Sequence, residues 1–338
     1  MQALGGKVLG AAFAALVIAA PTTPALAAVR NATPATFAKV VSEAKGGDVI
    51  VMGPGTYADF RIAGRAFAPE LTLDARAATI VAMQVTKSEG ITIRGGAFRL
   101  GQPRQRKDTG QEVFGAAIRF DDAKDIKVTG ATFVGPGHAE GAYGEGNGLH
   151  VVVGQDISVE KNQFTGFRSG VVITRVKGFR VADNTSSLMR SDGFQVSKSW
   201  DGVIENNSCK STRVRSDEHP DCIQLWSRPE FPPTSDVVIR GNRMQGPTQG
   251  IGMFNHVRKG VDDGGFDRIT IENNEVNVSR PNGISLVDAR KSTVRNNRIT
   301  TIDGARFQAK LRTRGDVARC GNFVASWGGR AGIDEPKC

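Results

Sequence analysis

Short segments in which apolar and polar residues alternate recur along the chain. Six of them are "NGLHVVV" (147–153), "SGVVITR" (169–175), "DGFQVSK" (192–198), "DCIQLWS" (221–227), "QGIGMFN" (249–255) and "NGISLVD" (282–288). Period-two alternation is typical of β-strands, in which successive side chains point to opposite faces. It sends pairs such as Leu149 and Val151 inwards and leaves a row of outward-facing positions. That row includes His150, Gln195, Gln224 and Trp226.

A second set of alternating segments lies between the first, and each of these contains an asparagine followed by a short extended piece. They are "ISVEKNQFTG", "FRVADNTSSL", "GVIENNSCKS", "VVIRGNRMQG", "ITIENNEVNV" and "STVRNNRITT", with Asn162, Asn184, Asn206, Asn242, Asn273 and Asn296 as the marker residues. The base step of about 22 residues between markers indicates a solenoid. Gly95 and Gly130 occupy the marker position in earlier repeats, and both residue types tolerate the left-handed backbone conformation. We therefore expect a sharp bend there, with asparagine side chains bonded along the stack.

Each repeat thus supplies three short strands, and repeats stacked in parallel form a right-handed parallel β-helix. We expect an all-β fold of about nine windings. The opening "TPATFAKVVSEAKGGDVIVMGPGTY" (33–57) predicts an amphipathic helix with Phe37, Val40, Val41 and Ala44 on one face, followed by a first winding. Such a helix covers the open end of a solenoid. With this opening, residues from about 33 to 305 resemble the pectate-lyase-like β-helix superfamily.

The N-terminus carries the pattern of an export signal. Lys7 precedes the 13-residue apolar stretch "VLGAAFAALVIAA", and "ALA" at 25–27 offers a cleavage site. We assign residues 1–27 to a signal peptide and 28–338 to one β-helix domain, with caps at 28–48 and 306–338. No later segment is apolar enough to span a membrane. The mature protein is expected to be secreted or periplasmic and monomeric.

Four cysteines are compatible with disulfides in an exported chain. Cys209, Cys222, Cys320 and Cys338 permit three pairings. Proximity in the sequence favours Cys209–Cys222 and Cys320–Cys338, and the spacings do not match a zinc site.

The formal charge of +10 indicates an anionic partner. Nucleic acid, an anionic membrane surface and an acidic polysaccharide all satisfy this condition. An exported protein rarely meets nucleic acid, so the charge and the export signal together favour an acidic polysaccharide or oligosaccharide.

Insertions locate the working surface. Segments 100–115, 134–146 and 210–220 precede strands of the first set, and 227–235 and 255–266 follow them, whereas the asparagine turns never lengthen. Loops on both sides of one sheet form a groove, and binding residues collect on loops held by a rigid scaffold. We expect the substrate to lie in this groove.

The residues that begin successive strands also stack, since windings lie about 4.8 Å apart. Asp192 and Asp221 become neighbours, with Asn147 further along the column. Two close carboxylates need a cation, a basic partner or a shared proton. We therefore consider Asp192 and Asp221 as ligands of a possible calcium ion.

The stretch "RSDEHPDCIQLWS" (215–227) places a charged loop beside this column. If the ligand is an acidic glycan, β-elimination requires a group that neutralises the uronate carboxylate and a base that removes the C5 proton. Arg213 and Arg215 are the candidate neutralising or acidic groups. Lys198, His219 and His150 are the candidate bases.

Asn147, His150, Gln195, Gln224 and Trp226 are assigned to sugar binding, and His138 and His256 to the groove rim. The segment "GFQVSKSWDGVIENNS" resembles the lysine-bearing winding of alginate and chondroitin lyases with this fold, which implies that Lys198 is the base. "EGNGLHVVVG" (145–154) is similar to the calcium-binding winding of that family. The family's acidic pair and following arginine are replaced by Asp192, Gln195 and Gln224.

Three other activities remain open. A glycoside hydrolase needs two carboxylic groups, about 5–5.5 Å or 6.5–9.5 Å apart, which Asp192, Asp217, Glu218 and Asp221 can supply. A C5-epimerase uses the same proton chemistry as a lyase. A glycan-binding protein needs a basic, aromatic groove without an aligned base.

Overall fold

The computed structural model describes residues 27–210, 213, 215, 218–228, 231–255 and 264–338. The described chain is almost entirely β-structure, and its strands form two parallel stacks. The larger stack has 18 strands among these residues. They are Val29–Ala32, Val49–Met52, Arg61–Ala63, Ala66–Asp74, Met83–Thr86, Glu89–Arg94, Ala116–Thr129, Asn147–Glu160, Ser169–Ala182, Phe194–Ser197, Trp200–Glu205, Asp221–Ser227, Thr234–Arg240, Gln249–Asn255, Phe266–Asp267, Thr270–Glu272, Asn282–Arg295 and Lys310–Cys320.

The second stack has 12 strands in the described chain, and only its last pairing is antiparallel. They are Gly55–Ala58, Ala78–Val81, Ala97–Arg99, Thr132–Val134, Gln163–Thr165, Thr185–Ser187, Ser208–Cys209, Arg243–Gly246, Glu275–Val278, Arg298–Thr301, Phe323–Val324 and Ile333–Asp334. A separate antiparallel hairpin joins Arg104–Gln105 to Glu112–Val113. A helix at Phe37–Glu43 and a 3₁₀ turn at Pro136–His138 complete the elements.

The larger stack bends once in each winding, which produces the three strand directions predicted from the repeat. At the bend two residues, three positions apart, take a left-handed conformation, and the first of them has φ between 48° and 60°. These first residues, the bend residues, are Lys87, Asp122, Val153, Arg175, Lys198 and Asp288. The bend separates a leading strand segment, such as 147–152, from a trailing one, such as 155–160. The right-handed parallel β-helix is thus confirmed.

The asparagine turn is also confirmed, but in half of the repeats the stacked residue is the second asparagine of the pair. Asn206, Asn273 and Asn296 take the left-handed position, which Gly95 and Gly130 fill in earlier windings. The buried stack is Asn162, Asn184, Asn207, Asn242, Asn274, Asn297 and Asn322. Each Nδ2 from Asn162 to Asn297 donates to the next asparagine Oδ1 at 2.9–3.1 Å. One residue of each turn therefore makes the bend, and the next residue bonds along the stack.

The core fills the space between the stacks with apolar side chains. Phe98, Phe133 and Phe164 stack with ring centroids 4.5 Å apart. At the N-terminal end, Phe37 of the helix packs against Tyr57 and Phe60 at 5.5 and 4.8 Å. Of the residues predicted on this face, Phe37, Val41 and Ala44 are buried and Val40 is partly buried against the core.

Disulfides join Cys209 to Cys222 and Cys320 to Cys338, as their proximity predicted. The first crosses the interior between the two stacks, and the second ties the C-terminus to the last long strand. Both are typical of an exported protein.

Residues 1–26, which contain most of the predicted export signal, lie outside the described residues. The helices that the structure does describe are too short and too polar to cross a bilayer.

Candidate functional site

The leading strand segments present one continuous outer surface, which we call the front face. It consists of the outward side chains of segments 83–86, 116–121, 147–152, 169–174, 194–197, 221–227, 249–255 and 282–287. In-register pairing aligns them in a row: Gln84, Arg119, His150, Val172, Gln195, Gln224, Gly252 and Ser285. Gln195 and Gln224, predicted to face outwards, are neighbours in this row.

Simple alternation fails at the start of each leading segment, where two consecutive residues face inwards. Cys222 bonds to Cys209 across the interior, and Ile223 is fully buried beside it. The equivalent Gly193 allows no side chain, because a Cβ would lie 2.7 Å from Ser186 Oγ. Two inward residues in succession turn Asp221 to the same side as Gln224, whose Nε2 donates to Asp221 Oδ2 at 2.8 Å. The acidic column therefore borders the front face.

Asp192 and Asp221, which we call the acid pair, lie on successive windings as predicted. The Asp221 backbone N–H donates to Asp192 Oδ1 at 3.1 Å. The two residues are only 3% and 0% exposed. Gly252, on the next winding, leaves room for the second carboxylate, since a Cβ there would lie 2.4 Å from Asp221 Oδ1. Two carboxyl groups are therefore packed together beneath the groove.

Burial makes ionisation of the acid pair unfavourable. Burial, and secondly the charge of Asp221, raise the pKa of Asp192 from 3.8 to about 7. Burial also raises the pKa of Asp221, although His219 and Gln224 oppose the rise. At neutral pH the pair therefore retains a proton for a substantial part of the time.

His219 lies above the acid pair and is open to solvent. Its Nδ1 is 3.6 Å from Asp221 Oδ2, and its side chain is 57% exposed. The side-chain interaction with Asp221 raises the pKa of His219, while partial burial opposes the rise. A solvent-exposed imidazole backed by a buried carboxylate is suited to accepting and returning a proton.

Aromatic and amide groups extend the site along the same winding. Trp226 Nε1 donates to Gln224 Oε1, so the Gln224 amide is held from both ends. The Trp226 ring lies 6.4 Å from that of Phe254 on the next winding, and the His219 ring lies 6.3 Å from it. Trp226 is partly exposed. These rings give the site an apolar side suited to the face of a sugar.

Three further arginines surround the loop that carries His219. Glu218 lies 3.1 Å from Arg190 Nε and 3.6 Å from Arg168 Nε. Arg280 donates to the Glu218 carbonyl at 3.4 Å. The charge of Arg168 partly opposes the rise in the pKa of Asp192, and the charge of Arg280 partly opposes the rise in the pKa of Asp221. Neither Arg168 nor Arg280 was selected from the sequence. Arg168 lies one residue before the leading strand that begins at Ser169, and Arg280 lies two residues before Asn282. This position just before a leading strand could have identified both arginines as site residues.

Arg213 and Arg215 occupy different environments. Arg213 Nη1 donates to the carbonyls of Gly137, Ala139 and Ala142, at 3.3, 2.6 and 2.9 Å. These bonds tie the His219 loop to the 134–146 insertion, so the structure gives Arg213 a loop-fastening position, whereas the sequence predicts a neutralising or acidic group. Arg215 is exposed, and its carbonyl accepts from the Glu218 N–H at 3.1 Å.

Lys198 stands apart from the acid pair. It is a bend residue with φ of 53°, at the opposite edge of the front face from Asp192. Six residues of strand correspond to roughly 20 Å. Lys198 Nζ lies 3.6 Å from the centroid of the Phe231 ring. Two of the three predicted bases, Lys198 and His219, thus occupy opposite margins of one groove.

His150 lies three windings from Gln224 in the same row. Burial, with the charge of Arg119 as a second cause, lowers the pKa of His150 from 6.5 to about 4. Asn147 is half-buried and pairs with Ser169, and Gln195 is half-buried beside Gln224. The structure therefore groups Gln195 with the acid pair's winding and separates His150 from it.

The acid pair does not fit the calcium site considered from the sequence. Calcium takes 6–8 oxygen ligands. The Asp221 N–H already occupies Asp192 Oδ1, and Gln224 occupies Asp221 Oδ2. Within the described parts of the chain no cluster of three or more His, Cys, Asp or Glu side chains has the geometry of a metal site.

Two predicted site residues cannot be placed. Asp217, a candidate hydrolase carboxylate, and His256, a candidate rim residue, lie outside the described residues. His138 is described, and its Nδ1 lies 2.7 Å from the Gly135 carbonyl within the 134–146 insertion.

Several solved structures are similar to this chain over most of its length. An alginate lyase from Paenibacillus sp. str. FPU-7 aligns with a TM-score of 0.55 and 14% identity, over 86% of this chain and 99% of that one. Pectate lyase Pel9A aligns with a TM-score of 0.57 and 12% identity, over 88% and 80%. PfbA, a surface adhesin of Streptococcus pneumoniae, aligns with a TM-score of 0.54 and 11% identity, over 89% of each chain.

At these identities the similarity establishes the fold, which carries lyases and an adhesin alike. No curated protein sequence matches the chain significantly. The family model described as "Right handed beta helix region" matches residues 109–299, more than half of the chain. The protein therefore belongs to the right-handed β-helix family.

Proposed function

We propose that this protein is an exported, monomeric enzyme that cleaves an acidic, uronate-containing polysaccharide by β-elimination. One observation carries the proposal: the exposed His219 imidazole lies 3.6 Å from the buried Asp221 carboxylate, on a face bordered by arginines. The net charge of +10 and the similarity of the fold to polysaccharide lyases support it.

His219 is the proton-transfer group in this proposal. Its neutral imidazole removes the C5 proton of a bound uronate, and Asp221 stabilises the imidazolium that results. Arg168 and Arg280, which flank the Glu218 segment, offset the uronate charge so that the C5 proton becomes acidic. Gln224 positions Asp221, and Trp226 lies against the sugar ring.

The electrons and protons of this step balance among the substrate, His219 and solvent water. The C5–H bond breaks, its electron pair forms the C4=C5 double bond, and the C4–O bond breaks. The departing oxygen takes a proton from imidazolium or water. Lys198, at the other margin of the groove, is the second proton-transfer candidate, and its test is part of the same experiment.

The burial of the acid pair argues against a hydrolase that uses these two carboxylates. A glycosidase places its acid and its nucleophile or base against the scissile bond. Asp192 and Asp221 are 3% and 0% exposed, so neither reaches a sugar from its present position. They serve the site instead by setting the charge and orientation of His219.

The test uses wild-type protein with alginate, polygalacturonate and glycosaminoglycan chains. We expect ultraviolet absorbance from the unsaturated uronate with at least one of them. His219→Ala is expected to lose about 10²–10⁴-fold in rate, the usual contribution of a general base. Lys177→Ala is a matched control for Lys198→Ala, because Lys177 is an exposed lysine on the trailing strands.

Each alternative activity has its own readout. New reducing ends without absorbance would identify a hydrolase, and an altered uronate configuration without shortening would identify an epimerase. Binding without any product would leave a glycan-binding protein. Full activity in both His219→Ala and Lys198→Ala, with the fold verified by circular dichroism, would show that the base is elsewhere.

A further inference from the structure

A cavity lies at the N-terminal end of the front face, away from the acid pair. Its volume is about 720 Å³, within the 300–1,000 Å³ range of ligand pockets. Gln84 and Arg119, neighbours in the front-face row, form its floor. The hairpin that contains Arg104 and Val113 forms one wall, and Asp59 lies on the lining as well. Arg119 is four windings from Gln224 and Gln84 is five, which corresponds to roughly 19–24 Å.

The polar groups of this floor have fixed orientations. Arg119 donates to both oxygens of Asp121, each at 2.7 Å, and its Nη1 lies 3.2 Å from His150 Nδ1. A guanidinium can only donate, so His150 Nδ1 accepts and the ring proton lies on Nε2. Its lowered pKa agrees with a neutral ring. His150 therefore presents one N–H donor beside the cavity.

The charges of the cavity cancel. Arg104 and Arg119 contribute two positive charges to the lining and Asp59 contributes one negative charge. Asp121, which lies outside the lining, pairs with Arg119 and supplies the second negative charge. The lining and this partner together thus present donors and acceptors without net charge. Val113, which is 44% exposed, and Pro103 add an apolar surface. This combination suits sugar hydroxyls, which both donate and accept, together with the C–H face of a ring.

We propose that this cavity is a second carbohydrate-binding site, which takes an uncharged sugar unit, with Gln84 and Arg119 bonded to its hydroxyls. The site is distinct from that of His219 and independent of the elimination chemistry. It allows one glycan chain to be held at two places on the same face, one for charged and one for neutral units.

The test is calorimetric titration with gluco-, galacto- and manno-oligosaccharides of three to five units and with uronate oligomers of the same lengths. We expect a neutral member of the panel to bind wild type with little dependence on salt. Gln84→Leu is expected to weaken that binding about tenfold or more, as loss of hydrogen bonds to a ligand does. His219→Ala is expected to bind equally well.

Gln245→Leu is the matched control, because Gln245 is an exposed glutamine on the second stack. Arg104→Ala provides a second test on the exposed hairpin, in case Gln84→Leu does not fold. The proposal is overturned if no neutral oligosaccharide binds, if both variants bind like wild type, or if only uronate oligomers bind and salt abolishes their binding. Loss of lyase activity has no bearing on these results.

Discussion

Asp221 links the buried and the exposed parts of the site. Its carboxylate accepts from Gln224 and faces His219, while its backbone N–H bonds to Asp192. One oxygen, Oδ1, has no hydrogen-bond partner among the described residues and lies over Gly252. The carboxylate is thus poised between holding a proton and stabilising a charge on the imidazole above it.

Replacement of Asp221 by Asn is expected to lower the pKa of His219. The side-chain interaction with Asp221 is the largest cause of the raised value, so its removal returns the pKa towards 6.5. The acidic limb of the rate profile, if His219 is the base, shifts to lower pH in the same direction. Nuclear magnetic resonance titration of the imidazole protons measures the shift without relying on activity.

His219→Ala identifies the His219 resonance among the four histidines of the chain. The His150 titration provides an internal control, because its pKa is set by burial and Arg119. An unchanged His219 titration in Asp221→Asn would mean that the two side chains do not interact in solution.

The sequence predicts some of the contacts between site residues and misses others. The column of strand-initial residues placed Asp192 beside Asp221, because the stacking of windings is regular. Arg168 and Arg280 were missed, because they approach Glu218 from loops on different windings whose paths the repeat does not determine. The partners of Arg213 were not predictable for the same reason, since they are carbonyls of residues more than 70 positions earlier.

The asparagine turn is the element that fixes the geometry of each winding. The Asn207 side chain makes four hydrogen bonds. Its Oδ1 accepts from the N–H and Nδ2 of Asn184, while its Nδ2 donates to Val181 O and Asn242 Oδ1. The side chain is 1% exposed, so its polar atoms have no access to water. Each turn thus satisfies polar groups of the windings on both sides.

Asn207→Ala is expected to destabilise the protein by about 2–4 kcal/mol. The substitution removes four hydrogen bonds and leaves buried donors on Asn184 without an acceptor, and each unsatisfied buried group costs about 1–3 kcal/mol. Asn206→Gly is the matched control, since Asn206 is exposed and has φ of 54°, where glycine is at ease. Denaturant unfolding of both variants measures the difference. Equal stabilities would show that the stacked side chains contribute nothing beyond the bend.

The elements were predictable where local pattern determines them. Alternation identified the leading strands, and the asparagine or glycine marker identified the turn. The double inward step at Cys222 and Ile223 was not predictable, because strict period-two alternation gives no reason to break it. That step brings Asp221 to the front face beside Gln224, so the side to which Asp221 points depends on a local feature that the alternation does not predict.

The whole molecule is a stack in which each winding contacts mainly its neighbours. This arrangement places residues from distant parts of the sequence in one row, as Gln84 and Gln224 are on the front face. Stability is therefore distributed along the stack. The buried acid pair lowers the free energy of unfolding when it is ionised, so its effect depends on pH.

Asp192→Asn is expected to change how the stability of the whole protein depends on pH. The folded-state pKa of Asp192 is raised to about 7 from 3.8, so the folded state binds its proton more tightly than the unfolded state. Its contribution to stability is therefore fully present below pH 3.8 and is lost as the pH rises to about 7. The loss is at most about 1.4 kcal/mol per pH unit for one proton. Relative to the wild type, the variant is expected to gain stability across this range, as measured by denaturant unfolding at each pH.

His150, whose pKa is lowered, makes the free energy of unfolding change with pH in the opposite direction between pH 4 and 6.5. This contribution is common to both proteins and cancels in the difference. Parallel stability profiles for wild type and Asp192→Asn would mean that Asp192 ionises normally and that the pair beneath the groove is hydrated rather than buried.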